Sequence, residues 1–214
     1  MSYFALIIFV ISTTIHLYAS LKKNTRLRNY TKPFLLTSLL AFYLFSTHEP
    51  KLVVILALIF SWIGDLFLMI PGVKWFTIGG ISFMISHFFF ILSYYTDVIF
   101  NNLYIGYVVV LAIIFFIIVY NLFIRLKKYL PSALFYPMFL YLLINGTMNC
   151  FAFFRAISNP NPSTIITLIG AILFFISDSA LFFVRFKKDG ILKTHFLVML
   201  TYSIGELLIV LGLI

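Results

Sequence analysis

Apolar residues run through this chain in eight long stretches divided by short polar breaks. A membrane-spanning helix needs about 20 mostly apolar residues, because each adds about 1.5 Å of rise across a hydrocarbon core about 30 Å thick. The stretches that approach this length are Ser2–Leu21, Phe34–Thr47, Leu52–Ile70, Phe76–Tyr95, Leu103–Ile124, Leu134–Phe154, Thr164–Val184 and Leu192–Leu213. The breaks carry helix-ending chemistry: His48-Glu49-Pro50, Pro71-Gly72, Asn101-Asn102, Pro131 and Asn159-Pro160-Asn161-Pro162. The pattern predicts an all-α integral membrane protein of about eight transmembrane helices, a single polytopic domain over residues 1–214.

Composition agrees with that reading. Of 214 residues, 63% are hydrophobic and 10% charged, with a mean hydropathy of +1.12. A soluble domain keeps about 25% of its residues charged, so most of this surface must face something apolar. The net charge of +9 sits in short basic clusters between apolar runs, which suits anionic lipid headgroups better than nucleic acid. The single cysteine, Cys150, excludes an internal disulfide or a cysteine-based metal cluster and reads as a small core residue. In Ser2–Leu21 the positive charges follow the apolar run (Lys22, Lys23, Arg26, Arg28), the reverse of a signal peptide. It is expected to be a retained first helix.

The second stretch is short, and charge decides in its favour. With eight spans, the connections after helices 1, 3, 5 and 7 hold 13 of the 15 Lys and Arg residues, leaving Lys51 and Arg155 on the other side. The positive-inside rule then makes those connections cytoplasmic and both termini non-cytoplasmic. The compact chain with short loops suggests a bacterial inner membrane. The two halves also echo each other: Gly64-Asp65 and Ser177-Asp178 lie four helices apart, each followed about 20 residues later by a histidine, His87 or His195. Either a four-plus-four parallel repeat or the recurrence that topology alone demands accounts for this.

Polar residues inside the spans are few, and a carboxylate at membrane depth usually faces a cavity or a partner. Asp65, Asp178 and Glu206 qualify. Asp65 lies about 5 residues, roughly 8 Å, from the end of its helix, and Asp178 lies at nearly the same depth. If the third and seventh helices are neighbours, the two carboxyl groups share one cytoplasm-facing pocket, one serving as acid and the other as anion. A purely structural pair, hydrogen-bonded across helices, is the plainer alternative.

Other polar side chains are read the same way. His195, Tyr202 and Glu206 recur at helical spacing and form one stripe on helix 8, lining the pocket or pairing with another helix. His87, mid-span on helix 4, is a packing histidine or a binding group. Asn145 and Asn149, one turn apart on helix 6, are interhelical glue or pocket lining. Lys32-Pro33 marks the expected start of helix 2, with Lys32 a snorkelling anchor or a phosphate contact. The aromatics, 20% of the chain, are expected to face lipid or fill packing gaps. There is no G-x-S-x-G elbow, H-E-x-x-H pair or P-loop, which disfavours a serine hydrolase, a zincin and a nucleotide-driven pump.

Two motifs carry a resemblance. Phe60-Ser61-Trp62-Ile63-Gly64-Asp65-Leu66-Phe67-Leu68-Met69, followed by Phe76, Gly79, Phe83 and His87, is similar to the signature of the YhhN-like lysoplasmalogenases. So is Gly170-Ala171-Ile172-Leu173-Phe174-Phe175-Ile176-Ser177-Asp178-Ser179, followed by Arg185-Phe186 and Thr201-Tyr202, and Lys32-Pro33 fits as well. The resemblance spans nearly the whole chain. It implies hydrolysis of the vinyl ether bond of lysoplasmalogens, giving a fatty aldehyde and glycerophosphoethanolamine or glycerophosphocholine. One departure stands out. Where members often carry a tyrosine pair and then a glutamine, this chain reads Tyr202-Ser203-Ile204-Gly205-Glu206, which bears on headgroup preference or proton supply.

Such a reaction needs a proton for carbon and an anion for the oxocarbenium-like cation and its water, and in principle no metal or cofactor. Asp65 and Asp178 are the expected catalytic pair, with Lys32, His87, Asn145, His195, Tyr202 and Glu206 around the substrate and Arg185 or Lys188 as further phosphate contacts. The expected partners are a lysophospholipid and the surrounding membrane lipids, without nucleic acid. Three rivals remain open: a proton-coupled transporter, a non-catalytic lipid-binding protein, and a metal-dependent hydrolase built on Asp65, His87, Asp178 and His195.

Overall fold

The structure, a computed structural model, describes residues 1–187 and 195–214. Among them are eight α-helices and no strand: α1 (Ser2–Leu21), α2 (Thr25–Ser46), α3 (Leu52–Met69), α4 (Val73–Tyr95), α5 (Asn102–Lys127), α6 (Phe135–Ser158), α7 (Pro162–Phe186) and α8 (His195–Leu211). A 3-10 turn at Ser132–Leu134 leads into α6. Six of the helices, α1 and α3 to α7, are long and apolar enough to cross a membrane, which makes this an integral membrane protein. The expected start of the last helix at Leu192 lies outside the described residues, as does Lys188.

Helix α2 departs from expectation. It begins at Thr25, nine positions before the expected Phe34, and carries Pro33 in its interior. Pro33 was read as a boundary because it has no N–H to give to the carbonyl four residues back. Here the Asn24 side chain caps the helix by accepting from the Leu27 N–H at 3.1 Å, and the residues before Pro33 stay helical. Pro33 is further held by its own carbonyl, which accepts from the Trp62 indole at 3.0 Å. Lys32 therefore projects from the body of a helix rather than from a loop. Arg26, Arg28 and Lys32 also make this helix too polar in its first third to qualify as a span by composition.

Consecutive helices pair, α1 with α2, α3 with α4, α5 with α6 and α7 with α8, and α4 also packs on α6, α6 on α7, and α8 on α1 and α2. Two of the hairpins close at glycines. A Cβ on Gly79 would stand 3.1 Å from the Gly64 carbonyl, and a Cβ on Gly170 would stand 2.7 Å from the Gly205 carbonyl. Small residues let helix backbones approach where lipid supplies no hydrophobic drive. Helix α5, by contrast, buries only Val119 and Leu126 and turns Ile113, Ile117 and their neighbours outward. At the end of the bundle away from Asp65, the buried Arg155 donates to Asp97 at 2.9 Å, to Thr167 at 2.9 Å and to the Gly212 carbonyl at 3.2 Å. That clamp ties α6 to α7, to the end of α8 and to the turn after α4.

Candidate active site

Asp65 is buried on α3, and each of its oxygens has a partner. The Lys32 ammonium from α2 lies 3.0 Å from Oδ1, and the Tyr202 hydroxyl from α8 donates to Oδ2 at 2.9 Å. A buried carboxylate with a cation and a donor is compensated as an anion, since each partner replaces hydration lost on burial.

Asp178, buried on α7, has a different shell. Tyr141 and Asn145, both from α6, donate to its Oδ2, the latter at 2.7 Å. His87 Nε2 lies 3.7 Å from the same oxygen, beyond a hydrogen bond. Among the described residues no hydrogen bond ends on Oδ1. All of these side chains are neutral unless His87 takes a proton. The sequence motifs around the two acids look alike, yet one has a lysine and the other has none.

Helices α3 and α7 are not one of the packed helix pairs; α3 lies against α2 and α4, and α7 against α8, α6 and α5. The acids nonetheless line one cavity, because each is aimed between its neighbours. It is a narrow cavity with about 60 Å³ of room for water-sized groups. Asp65 and Asp178 form its buried floor, while Arg28, Lys32, Arg185 and His195 supply a partly exposed basic rim. Arg185 also lies over the Phe76 ring, 6.0 Å from its centre.

The other expected site residues divide by distance from this cavity. Tyr202 and His195 line it, and Asn145 reaches it through Asp178. His87 is fully buried between the rings of Tyr141 and Phe174. Glu206 lies one turn deeper than Tyr202, is fully buried, and is not among the lining residues. Neither of its carboxyl oxygens has a hydrogen-bond partner among the described residues. Asn149 donates to Asn145 Oδ1 at 3.1 Å, supporting the side chain that holds Asp178. Among the described residues no group of three or more His, Cys, Asp or Glu side chains is arranged to hold a metal ion.

Two contributors escaped the sequence reading. Tyr141 was counted with the packing aromatics, but its hydroxyl is spent on Asp178. Its spacing of one turn before Asn145 and two before Asn149 was the available signal. Arg28 was counted only as a topological charge, yet it stands on the cavity rim.

The fold and site define a helical membrane protein with two buried carboxyl groups on one basic-rimmed cavity. Its sequence matches the profile of the YhhN family over residues 27–213, and the chain belongs to that family. No curated protein and no solved structure matches it.

Proposed function

We propose that this protein hydrolyses the vinyl ether bond of a single-chain ether phospholipid, a lysoplasmalogen, to a fatty aldehyde and the glycerophospho-headgroup. The observation that carries this reading is the unequal shell of the two acids that line one cavity. Lys32 favours the anion at Asp65. Asp178 meets neutral donors at Oδ2 and has Oδ1 left over, which suits a protonated acid facing substrate.

The reaction then runs in three balanced steps. Asp178 gives its proton to the vinyl carbon remote from oxygen, leaving an oxocarbenium ion opposite the Asp65 carboxylate. Water adds to the carbon bonded to oxygen as Asp65 takes its proton. The hemiacetal hydroxyl returns a proton to Asp178, its C–O bond to the glycerol breaks, and the departing oxygen takes the proton held by Asp65. Both acids end as they began.

The basic rim of Arg28, Lys32 and Arg185 is where a phosphate would be held. Following the charge asymmetry of the loops, we assign this rim to the cytoplasmic leaflet, with eight crossings and both termini outside. The test is aldehyde release by the purified protein from a 1-alkenyl lysophospholipid. Asp178→Asn is expected to lower kcat at least a thousandfold and Asp65→Asn by at least a hundredfold. Near-normal rates in both variants would remove the pair from the chemistry, and proton-dependent lipid uptake without aldehyde would replace hydrolysis with transport.

A further inference from the structure

A second cavity adjoins the first and lacks its charged rim. It is a narrow slot between α4, α7 and the start of α6, open at one edge. Leu68, Phe76, Phe83 and Leu181 form a wall common to both cavities. Its remaining lining is apolar, and the two hydroxyl groups there are already committed. Thr77 donates to the Val73 carbonyl at 2.9 Å, while Tyr141 donates to Asp178. Along α4 the slot runs from Phe76 to Met84, about 12 Å of helix. Ile81, 45% exposed, stands at its lipid-facing edge.

We propose that this slot holds the hydrocarbon chain of the substrate while the basic cavity holds its headgroup. The inference rests on the ether-lipid reading and adds to it where the chain lies and what limits its length. A ligand filling both cavities must be anionic at one end and a single apolar chain at the other. Tyr141 lines the slot and donates to Asp178 on the floor of the basic cavity, so a chain in the slot lies beside the acid.

Gly80 sets the length admitted. It lines the slot, and a Cβ built on it meets nothing within 4 Å. A larger side chain there enters the slot without displacing a neighbouring helix.

Binding of 1-O-alkyl lysophosphatidylcholines, which lack the vinyl bond, is measured by titration into the protein in nanodiscs, with chains of 8, 12 and 16 carbons. Affinity for the wild type is expected to rise with chain length. Gly80→Leu is expected to weaken the 16-carbon ligand at least tenfold and the 8-carbon ligand less than twofold, with an unchanged melting temperature. Gly80→Ala carries the same trend at smaller amplitude should the leucine variant misassemble. An unchanged chain-length profile in both variants overturns the slot, even if aldehyde release is normal. A Gly80-dependent profile with no aldehyde from the vinyl substrate keeps the slot and overturns the hydrolase reading.

Discussion

Tyr202, on the last helix, donates its hydroxyl to Asp65 on the third, at 2.9 Å and across 137 positions of the chain. The ring is seated edge-on against Phe83 and Phe174, so its position does not depend on that bond. Tyr202→Phe therefore removes one donor and little else. Losing a hydrogen bond to a buried charged group costs about 1–3 kcal/mol, which at the transition state is roughly ten- to a hundredfold in rate. A kcat lowered by that factor, at an unchanged melting temperature, is the expected result from steady-state kinetics and a thermal scan.

Lys32 and Asp65 are coupled more strongly. Lys32→Met leaves a buried carboxylate without its cation, which typically costs about 3–5 kcal/mol. The double variant Lys32→Met with Asp65→Asn is expected to regain most of that stability and none of the activity. Chemical denaturation of both singles and the double gives the coupling energy. Additive losses would mean that the ion pair contributes nothing.

Helix spacing holds the acids in register. Gly170→Ala places a methyl group 2.7 Å from the Gly205 carbonyl, so α7 and α8 must separate, and Asp178 and Tyr202 move with them. Both stability and turnover are expected to fall, the latter at least tenfold. Gly106→Ala on the lipid-facing α5 meets nothing within 4 Å and is expected to leave both unchanged. Equal behaviour of the two variants would remove the crossing from the account.

Glu206 invites the opposite prediction. It is one turn below Tyr202, fully buried and outside the cavity lining. Exchange for an amide of the same shape, Glu206→Gln, is expected to leave kcat/KM within threefold across the pH range of activity. A tenfold loss, or a shifted pH optimum, would put Glu206 on the proton route.

Much of this site was legible because carboxylates are so rare in apolar runs. Asp65 and Asp178 stood out at matching depths, and helical spacing tied His195 to Tyr202. What could not be read was who faces whom. Periodicity places a side chain at a depth and on a face, whereas its partner is decided by which helices become neighbours. The sequence reading required α3 and α7 to adjoin, yet the acids share a cavity while each of those helices packs on others. Pro33 hid the first nine residues of α2, because its missing N–H signals an end more often than an interior position. Tyr141 was hidden by company: one of 13 tyrosines in a chain rich in rings gives no sign that its hydroxyl holds an acid. The suggested repeat of the halves stays an expectation, although each aspartate draws its partners from corresponding helices, Asp65 from α2 and α8 and Asp178 from α6 and α4.

The shell around Asp65 also has a consequence for biosynthesis. Its cation arrives with the second helix, but its hydroxyl partner lies 137 positions after the acid itself. A nascent chain therefore carries a half-dressed acid until the hairpin of α7 and α8 docks and finishes the centre. Truncated products would be inert toward lipid, whatever else they assemble.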